Sequence, residues 1–232
     1  MLSRRRFIGQ VSAATAYAWT HKAHAEVPGS LSNAHPNPTA PGAEGAPWNS
    51  YGRIVLQHLQ NSVIVQDGFM IEGRTYGDCD FSFEARAPQG TSEVQIWSGI
   101  RCRDRDSRYV FALRGGNNDH LYLARYGPDG AAKFLGIAPL DFHPVPGDWY
   151  TLRAVTIGSR ILIFLNQETT PRINVMDDEA PWAEGGVSLG GGWLPAEFRG
   201  VKAKALSPAD ASAIDALGDC VWKAPKADKN KL

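Results

Sequence analysis

The stretch "SGIRCRDRDSRYVFALRGG", Ser98 to Gly116, carries the strongest structural signal in this sequence. Apolar residues and arginines alternate on both sides of an acidic corner, Asp104 to Ser107. Successive side chains of a β-strand point to opposite faces, so a period of two predicts two strands joined by a hairpin. The second strand would divide its side chains into two sets: Tyr109, Phe111 and Leu113 on one face, and Val110, Ala112 and Arg114 on the other.

Similar runs occupy most of the chain, from "SVIVQDG" at Ser62 to "AEFRGVKAKAL" at Ala196. They are short, alternating or β-branched, and bounded by Gly, Pro, Asp or Asn, and none has helical periodicity. No repeat of about 20 to 50 residues is visible, which argues against a propeller or solenoid. Many short strands separated by turn residues predict an all-β fold, a sandwich or a barrel.

The N-terminal residues have the pattern of an export signal. "SRRRFIG", Ser3 to Gly9, resembles the twin-arginine signal, and "AHA" at Ala23 to Ala25 suits a signal peptidase. We therefore expect residues 1–25 to be removed and the mature protein to be periplasmic or secreted. The alternative is a basic amphipathic helix that the mature protein keeps. The apolar run is too short to span a bilayer, so no membrane contact of the mature form is expected.

The mature chain is predicted to have three parts. Residues 26–47 are rich in Pro, Ala, Gly, Ser and Asn and should form a flexible linker. Residues 48–206 hold the strands and form the β-sandwich domain. Residues 207–232 open with Ser207 and Pro208, a helix-start pattern, and should form a short helix followed by a disordered tail.

The charge balance argues against a nucleic-acid partner. The whole chain has 24 basic and 24 acidic residues, and removing residues 1–25 leaves 20 basic residues against the same 24 acidic ones. A nucleic-acid-binding domain would need a basic face.

Three cysteines cannot all pair with one another. Cys79 shares parity with Phe81 and Phe83, and Cys102 shares parity with Ile100, so both are expected to face the core. They could form a disulfide between strands or remain two free, buried thiols. The role of Cys220 stays open, and no Cys/His spacing suggests zinc.

Five longer stretches together resemble a known family. They are "YGDCDFSFEAR", "SGIRCRDRDSRYVFALRGG", "HLYLARYGPDG", "PGDWYTLRAVTIGSRILIFLNQE" and "GGVSLGGGWLPAEFRGVKAKAL". Their order and turn residues are similar to the concanavalin A-like, laminin-G-like jelly roll, and within it to the 3-keto-disaccharide hydrolase domains. The resemblance implies a jelly-roll β-sandwich of two antiparallel sheets that acts on carbohydrate. It departs at Asn166-Gln167, where the family more often has Asn-Gly.

The candidate site follows from strand parity. If the charged strands are neighbours in one sheet, one concave face would collect Glu84, Arg86, Arg101, Arg103 and Arg114. His120, Tyr122 and Trp193 would lie at its rim. Arginine donors suit sugar oxygens, and aromatic faces suit sugar rings. The alternative is a solvated outer face with cross-strand Arg/Glu pairs.

The chemistry of this site is less defined. Glycoside hydrolysis usually needs two carboxylates, and the paired Glu-x-Asp-x-x-Glu motif of glucanases with this fold is absent. The family resemblance implies that Glu84 is the catalytic acid/base on a 3-keto sugar, with arginines stabilising an enolate. The alternatives are a non-catalytic carbohydrate-binding or adhesion module, and a structural domain that binds another protein through an apolar patch.

No cofactor is expected, with calcium as the possible exception. Asp104 and Asp106 lie in the hairpin corner, and Asp177, Asp178 and Glu179 lie in a later loop. Calcium requires six to eight oxygen ligands, and neither cluster has a complete ligand spacing. Ordinary acidic turns are the favoured interpretation.

Overall fold

The computed structural model describes residues 47–179, 182–190 and 192–221. The predicted signal peptide, nearly all of the linker and the last residues of the tail lie outside these ranges.

Twelve strands and one helix account for the regular structure in the described ranges. The strands are β1 Trp48–His58, β2 Val63–Glu72, β3 Cys79–Arg86, β4 Gln95–Cys102, β5 Arg108–Arg114, β6 His120–Tyr126, β7 Ala132–Pro139, β8 Tyr150–Ile157, β9 Arg160–Leu165, β10 Ile173–Met176, β11 Gly186–Gly190 and β12 Ala196–Ala205. The helix is α1, Pro208–Asp215.

The strands form two antiparallel layers that share β2. One layer, the first sheet, has the order β10-β9-β8-β3-β12 and ends on the beginning of β2, where Val63 pairs with Phe198. The other, the second sheet, starts at the end of β2, where Phe69 pairs with Gly190, and continues β11-β4-β5-β6-β7. The strand turns between these pairings at Asp67, whose φ is 55°, and Gly68. The fold is therefore the all-β jelly-roll sandwich that the sequence predicted.

The core lies between the two sheets. Phe81 and Phe83 of β3 pack on Phe111 of β5, with ring centres 6.4 and 6.1 Å apart. The alternation in β3 is regular, because Cys79, Phe81, Phe83 and Ala85 are buried and the residues between them are half-buried. The expected parity of β5 is confirmed in the same way, since Tyr109, Phe111 and Leu113 belong to the core.

The predicted hairpin between β4 and β5 is confirmed. The Arg103 N–H donates to the Ser107 carbonyl at 3.0 Å. One carboxylate oxygen of Asp104 accepts the N–H groups of Asp106 and Ser107 at 2.8 and 2.6 Å. Asp104 therefore stabilises the turn through its own backbone neighbours, as short acidic side chains often do.

Arg101 breaks the expected alternation of β4. Its φ is +48°, and the pairing of β4 with β11 shifts register at this point. The prediction that Arg101 points away from Ile100 is wrong, because this bulge keeps its side chain on the interior side, 1% exposed, near Asp78. Such bulges re-aim side chains at sheet irregularities.

Cys102 is displaced to the opposite face by the same bulge. It packs with Phe69 and Ile71 in a small cluster separate from the core that contains Cys79. The expectation that both cysteines face the core is therefore wrong for Cys102. Both thiols are free and buried, and burial raises the pKa of each to about 11.

Helix α1 begins where Ser207 and Pro208 indicated. The Ser207 hydroxyl accepts the Asp210 N–H at 3.2 Å, and the Asp210 carboxylate accepts the Ser207 N–H at 3.2 Å. This capping box satisfies two N–H groups that would otherwise lack partners. Ile214 and Leu217 then pack against Phe164 on the outer face of the first sheet. No helix in the described ranges is long and apolar enough to cross a membrane.

Candidate functional site

The outer face of the second sheet, which points away from the core, carries a compact group of polar and aromatic side chains. Strand alternation builds it, because Ile96, Leu113 and Leu121 fill the core and their neighbours turn outward. Two cross-strand rows result: Gln95, Arg114 and His120 in one, and Trp97, Ala112 and Tyr122 in the other.

Four rings form what we call the aromatic cluster: Trp97, Tyr122, Phe134 and Trp193. The Trp97 ring centre lies 6.0 Å from that of Tyr122 and 6.2 Å from that of Trp193, both in edge-to-face geometry. Tyr122 also contacts Phe134 at 5.5 Å. Ala112 lies between Trp97 and Tyr122 and leaves room for their rings. Trp193 and Phe134 remain 42% and 57% exposed, so the cluster presents aromatic surface to solvent.

Trp193 is held over this face by backbone contacts to the bend in β2. The Asp67 N–H donates to the Gly192 carbonyl at 3.0 Å, and the Gln66 side-chain amide donates to the Trp193 carbonyl at 3.2 Å. The Arg114 guanidinium carbon lies 5.4 Å from the Trp193 ring centre, a cation–π distance. The glycine-rich turn before Trp193 thus places an indole and a cation side by side.

Three buried polar atoms of this face have no hydrogen-bond partner in the described structure: Gln95 Oε1, Trp97 Nε1 and Arg114 Nε. Two of them adjoin Gly192, where an added Cβ would lie 3.3 Å from Gln95 Oε1 and 3.4 Å from Trp97 Nε1. Buried polar groups are normally paired, and an unpaired one costs about 1–3 kcal/mol. One acceptor and two donors are the complement of a hydroxyl group, which both donates and accepts.

The charges of the site are partly compensated. Arg114 Nη2 lies 3.8 Å from Glu93 Oε1, at the long end of an ion pair, and Gln95 also donates to Glu93. His120 Nδ1 lies 2.6 Å from the Asn118 carbonyl oxygen, which fixes the ring beside Tyr122. Burial raises the pKa of Tyr122 well above its ordinary value, so its phenol is neutral at physiological pH. The site therefore offers neutral donors and one arginine.

Four of the eight residues expected from sequence come together here: Arg114, His120, Tyr122 and Trp193. Arg103 lies past the end of β4, exposed in the hairpin, and Arg101 is buried inside the sandwich. Neither side chain therefore lies on the face with Arg114, where the sequence predicted both.

Glu84 and Arg86 lie on the first sheet, because β3 pairs with β8 and β12 and not with β4. Their side chains point away from Phe81 and Phe83, and thus to the side of the sandwich opposite the aromatic cluster. The expectation of one shared face is therefore wrong. Glu84 pairs with Arg199 at 2.9 Å and Arg86 with Glu197 at 2.7 Å, each directly across the β3–β12 ladder. This is the geometry of the solvated cross-strand alternative.

Sequence reasoning missed Gln95, Trp97 and Phe134. The signal for the first two was present in "EVQIWSG", where assigning Ile96 and Ile100 to the core sends Gln95 and Trp97 outward. Phe134 carried no such signal, because β7 has a shifted register against β6 between Leu123 and Ala124.

The acidic clusters weighed for calcium have protein partners. Asp177 accepts the Tyr109 hydroxyl at 2.8 Å and two contacts from Arg125 at 2.8 and 2.7 Å. Asp178 accepts from Ser159 at 2.9 Å, and Glu179 pairs with Lys133 at 2.5 Å. Within the described ranges no three His, Cys, Asp or Glu side chains group as metal ligands would.

Comparison with known proteins supports the fold. No protein-family profile and no curated protein matches this sequence. A carbohydrate binding module, CBM66 from Bacillus subtilis, matches with a TM-score of 0.57 and 16% identity, over 72% of this chain and 97% of that one. A candidate glycosyl hydrolase from Parabacteroides distasonis gives a TM-score of 0.50 and 10% identity, over 69% and 88% of the two chains.

A protein of unknown function with a galectin-like fold, also from Bacillus subtilis, gives a TM-score of 0.50 and 10% identity, over 67% of this chain and 88% of that one. At such identities the likeness is one of fold. The chain is therefore similar in architecture to these β-sandwich proteins, and any function must be argued from its own residues.

Proposed function

We propose that this chain binds carbohydrate through the outer face of the second sheet, at the aromatic cluster. The observation that carries the proposal is the set of three unpaired polar atoms, Gln95 Oε1, Trp97 Nε1 and Arg114 Nε, beside exposed aromatic rings. Sugars present hydroxyl groups around an apolar ring face, so they need mixed donors and acceptors together with aromatic surface. The similarity in fold to a carbohydrate binding module adds support.

The test is calorimetric titration of the full chain with oligosaccharides selected on a glycan array. Trp97→Ala should weaken binding by about tenfold or more, because an aromatic side chain at the centre of an interface usually dominates its binding energy. Trp149→Ala is the matched control, since Trp149 contacts two arginines on the first sheet, with the Arg199 guanidinium carbon 3.8 Å from its ring centre. Binding that survives Trp97→Ala and disappears in Trp149→Ala would move the site to the first sheet.

Glycoside hydrolysis is a second candidate, favoured by two carboxylates that converge near Gly116. The Gly116 N–H donates to Asp119 Oδ1 at 3.1 Å, and a Cβ on Gly116 would lie 2.5 Å from Glu93 Oε2. Glu93 and Asp119 thus adjoin Arg114 and His120 at one end of the candidate site. Two carboxylates around one bond are the usual requirement for hydrolysis.

Product release from ordinary and 3-keto disaccharides, followed by chromatography with mass detection, tests this candidate. Hydrolysis at this end of the site predicts that Glu93→Gln and Asp119→Asn each abolish release while Glu84→Gln does not. The catalytic role assigned to Glu84 from sequence stays a prediction, and loss of release in Glu84→Gln alone would support it. If no sugar is released by the parent chain, hydrolysis is refuted and binding stands by itself.

We also propose export to the periplasm or the medium, on the strength of Arg4, Arg5 and the "AHA" at Ala23 to Ala25. Fractionation of cells that express the chain would test it. Retention of an Arg4→Lys, Arg5→Lys variant in the cytoplasm is expected, whereas unchanged export would refute the twin-arginine route.

A further inference from the structure

Arg108 lies on the same outer face as the aromatic cluster, at the opposite end of β5 from Arg114. Its guanidinium carbon lies 4.0 Å from the ring centre of Phe69 and 5.6 Å from that of Tyr126. Tyr51 stacks on the same Phe69 ring, with centres 5.4 Å apart and planes within 13°. Arg108 is half-buried, and both rings lie within cation–π distance of its guanidinium.

The guanidinium of Arg108 has no carboxylate at ion-pair distance in the described ranges, and Asp106 of the hairpin attracts it only from further away. Every other buried or half-buried arginine in the described ranges has a carboxylate within 4.0 Å: Arg86, Arg101, Arg114, Arg125, Arg153, Arg160, Arg172 and Arg199. Arg108 has none. Burial lowers its pKa from the usual value, yet a guanidinium remains protonated at neutral pH. A partly desolvated cation without a carboxylate at ion-pair distance favours an anion supplied from outside the chain.

The two ends of the face suit one extended ligand. Arg108 pairs with Tyr126, and Ala112 pairs with Tyr122 of the aromatic cluster, four residues further along each strand. At the usual rise per residue this separates the two positions by ~13 Å. The row between them consists of Gly99, Val110 and Ala124, which are small and buried, and it ends at Phe134 of the aromatic cluster, which pairs with Ala124. An extended oligosaccharide could therefore contact both positions at once.

We propose that the ligand is an acidic oligosaccharide, with sugar rings on the aromatic cluster and a carboxylate or sulfate group paired with Arg108. This inference rests on the proposed carbohydrate binding and specifies its substrate class. A guanidinium can meet either group through two parallel N–H donors.

The test is titration of the full chain with oligogalacturonate, oligoalginate and sulfated galactan oligosaccharides. Each has a neutral counterpart, the methyl ester for the carboxylates and the desulfated chain for the sulfates. The preferred acidic ligand should bind at least about tenfold more tightly than its neutral counterpart, because a hydrogen bond to a charged group contributes about 1.5–3 kcal/mol. Comparing the carboxylated with the sulfated oligosaccharides shows which acidic group is recognised.

Arg108→Gln should remove this preference and leave the affinity for the neutral chain unchanged. Arg103→Gln is the matched control, since Arg103 lies in the same hairpin but is exposed, and it should keep the preference. If Arg108→Gln fails to fold, the salt dependence of the parent chain decides, because only the acidic ligand should bind more weakly as salt rises.

Equal affinity for acidic and neutral chains, lost in Trp97→Ala, would refute the acidic ligand while carbohydrate binding stands. Absence of binding to every oligosaccharide would refute both proposals. Persistence of the acidic preference in Arg108→Gln would also overturn the role of Arg108.

Discussion

Gly192 decides how much space remains between Gln95 Oε1 and Trp97 Nε1. A methyl group there would take the position that a ligand hydroxyl needs, 3.3 and 3.4 Å from those two atoms. We expect Gly192→Ala to weaken carbohydrate binding by about tenfold, the effect of roughly one hydrogen bond to a neutral partner. The nearest atom, Gln95 Oε1, is the end of a side chain that can shift slightly, so the melting temperature should change little. Calorimetric titration and thermal unfolding measure the two effects.

The control for this substitution is Gly77→Ala. Gly77 does not adopt a positive φ, and its added Cβ would meet only the Ala183 carbonyl oxygen at 3.9 Å. The interpretation of Gly192 would be contradicted if both variants bind like the parent chain, or if both lose binding equally.

Individual residues of the candidate site show how much of it the sequence could predict. Arg114, His120 and Tyr122 followed from strict alternation, which holds in β5 and β6 because both strands keep a regular ladder. Arg101 did not follow, because a single left-handed residue reverses the parity of everything after it, and no Gly or Asn marks the position. Arginine there is uncommon, so sequence alone favours the regular strand.

At the scale of elements, helix α1 serves the first sheet and not the candidate site. Ile214 and Leu217 cover Val155, Leu162 and Phe164, and Arg160 holds Asp215 at 2.8 Å. We expect the double variant Ile214→Ala, Leu217→Ala to lose about 1–3 kcal/mol of unfolding free energy, since both side chains are only partly buried.

Denaturant unfolding measures that loss, and sugar affinity should remain that of the parent chain because α1 lies on the opposite layer. Ala213→Ser provides the control, because Ala213 is an exposed residue of the same helix. A loss of sugar affinity in the double variant without a loss of stability would show that α1 contributes to the ligand site.

Strand order is the element-scale property that sequence did not provide. The boundaries of β3, β4 and β5 were visible as alternating runs, but which strands are neighbours depends on pairings between distant segments. Placing β3 beside β4 would have put Glu84 and Arg101 on one face. The structure places β3 between β8 and β12 instead. The core face of β3 packs across the sandwich against β5, so β3 and β4 belong to different sheets.

At the scale of the molecule, Tyr109 and Asp177 connect the two layers. The Tyr109 hydroxyl of β5 donates to the carboxylate that follows β10, at 2.8 Å. Burial, and to a smaller extent the hydrogen bond to Asp177, raise the pKa of Tyr109 to about 12. The folded protein therefore favours the neutral phenol more than the unfolded chain does, whose tyrosines titrate near pH 10.

This raised pKa predicts an alkaline loss of stability. The contribution of Tyr109 is complete below about pH 10 and is lost as the pH rises from about 10 towards 12, because the unfolded chain then releases the proton first. Unfolding free energies measured by denaturant between pH 8 and pH 11.5 should fall less steeply for Tyr109→Phe than for the parent chain. Identical slopes would mean that Tyr109 titrates normally. Burial also raises the pKa of Tyr76 to about 12, so Tyr76→Phe should flatten the curve similarly.

The sharing of β2 between both layers has a consequence for how the chain acquires its structure. β2 lies early in the sequence, yet Phe69 pairs with Gly190 and Val63 with Phe198. During synthesis, β1 can cover one side of β2 at once, while its other side waits until β11 and β12 have left the ribosome. Folding dominated by such distant pairings typically takes on the order of milliseconds to seconds. The nascent chain therefore exposes an unpaired strand edge for most of its synthesis, and a chaperone that shields extended segments would raise the yield of soluble protein.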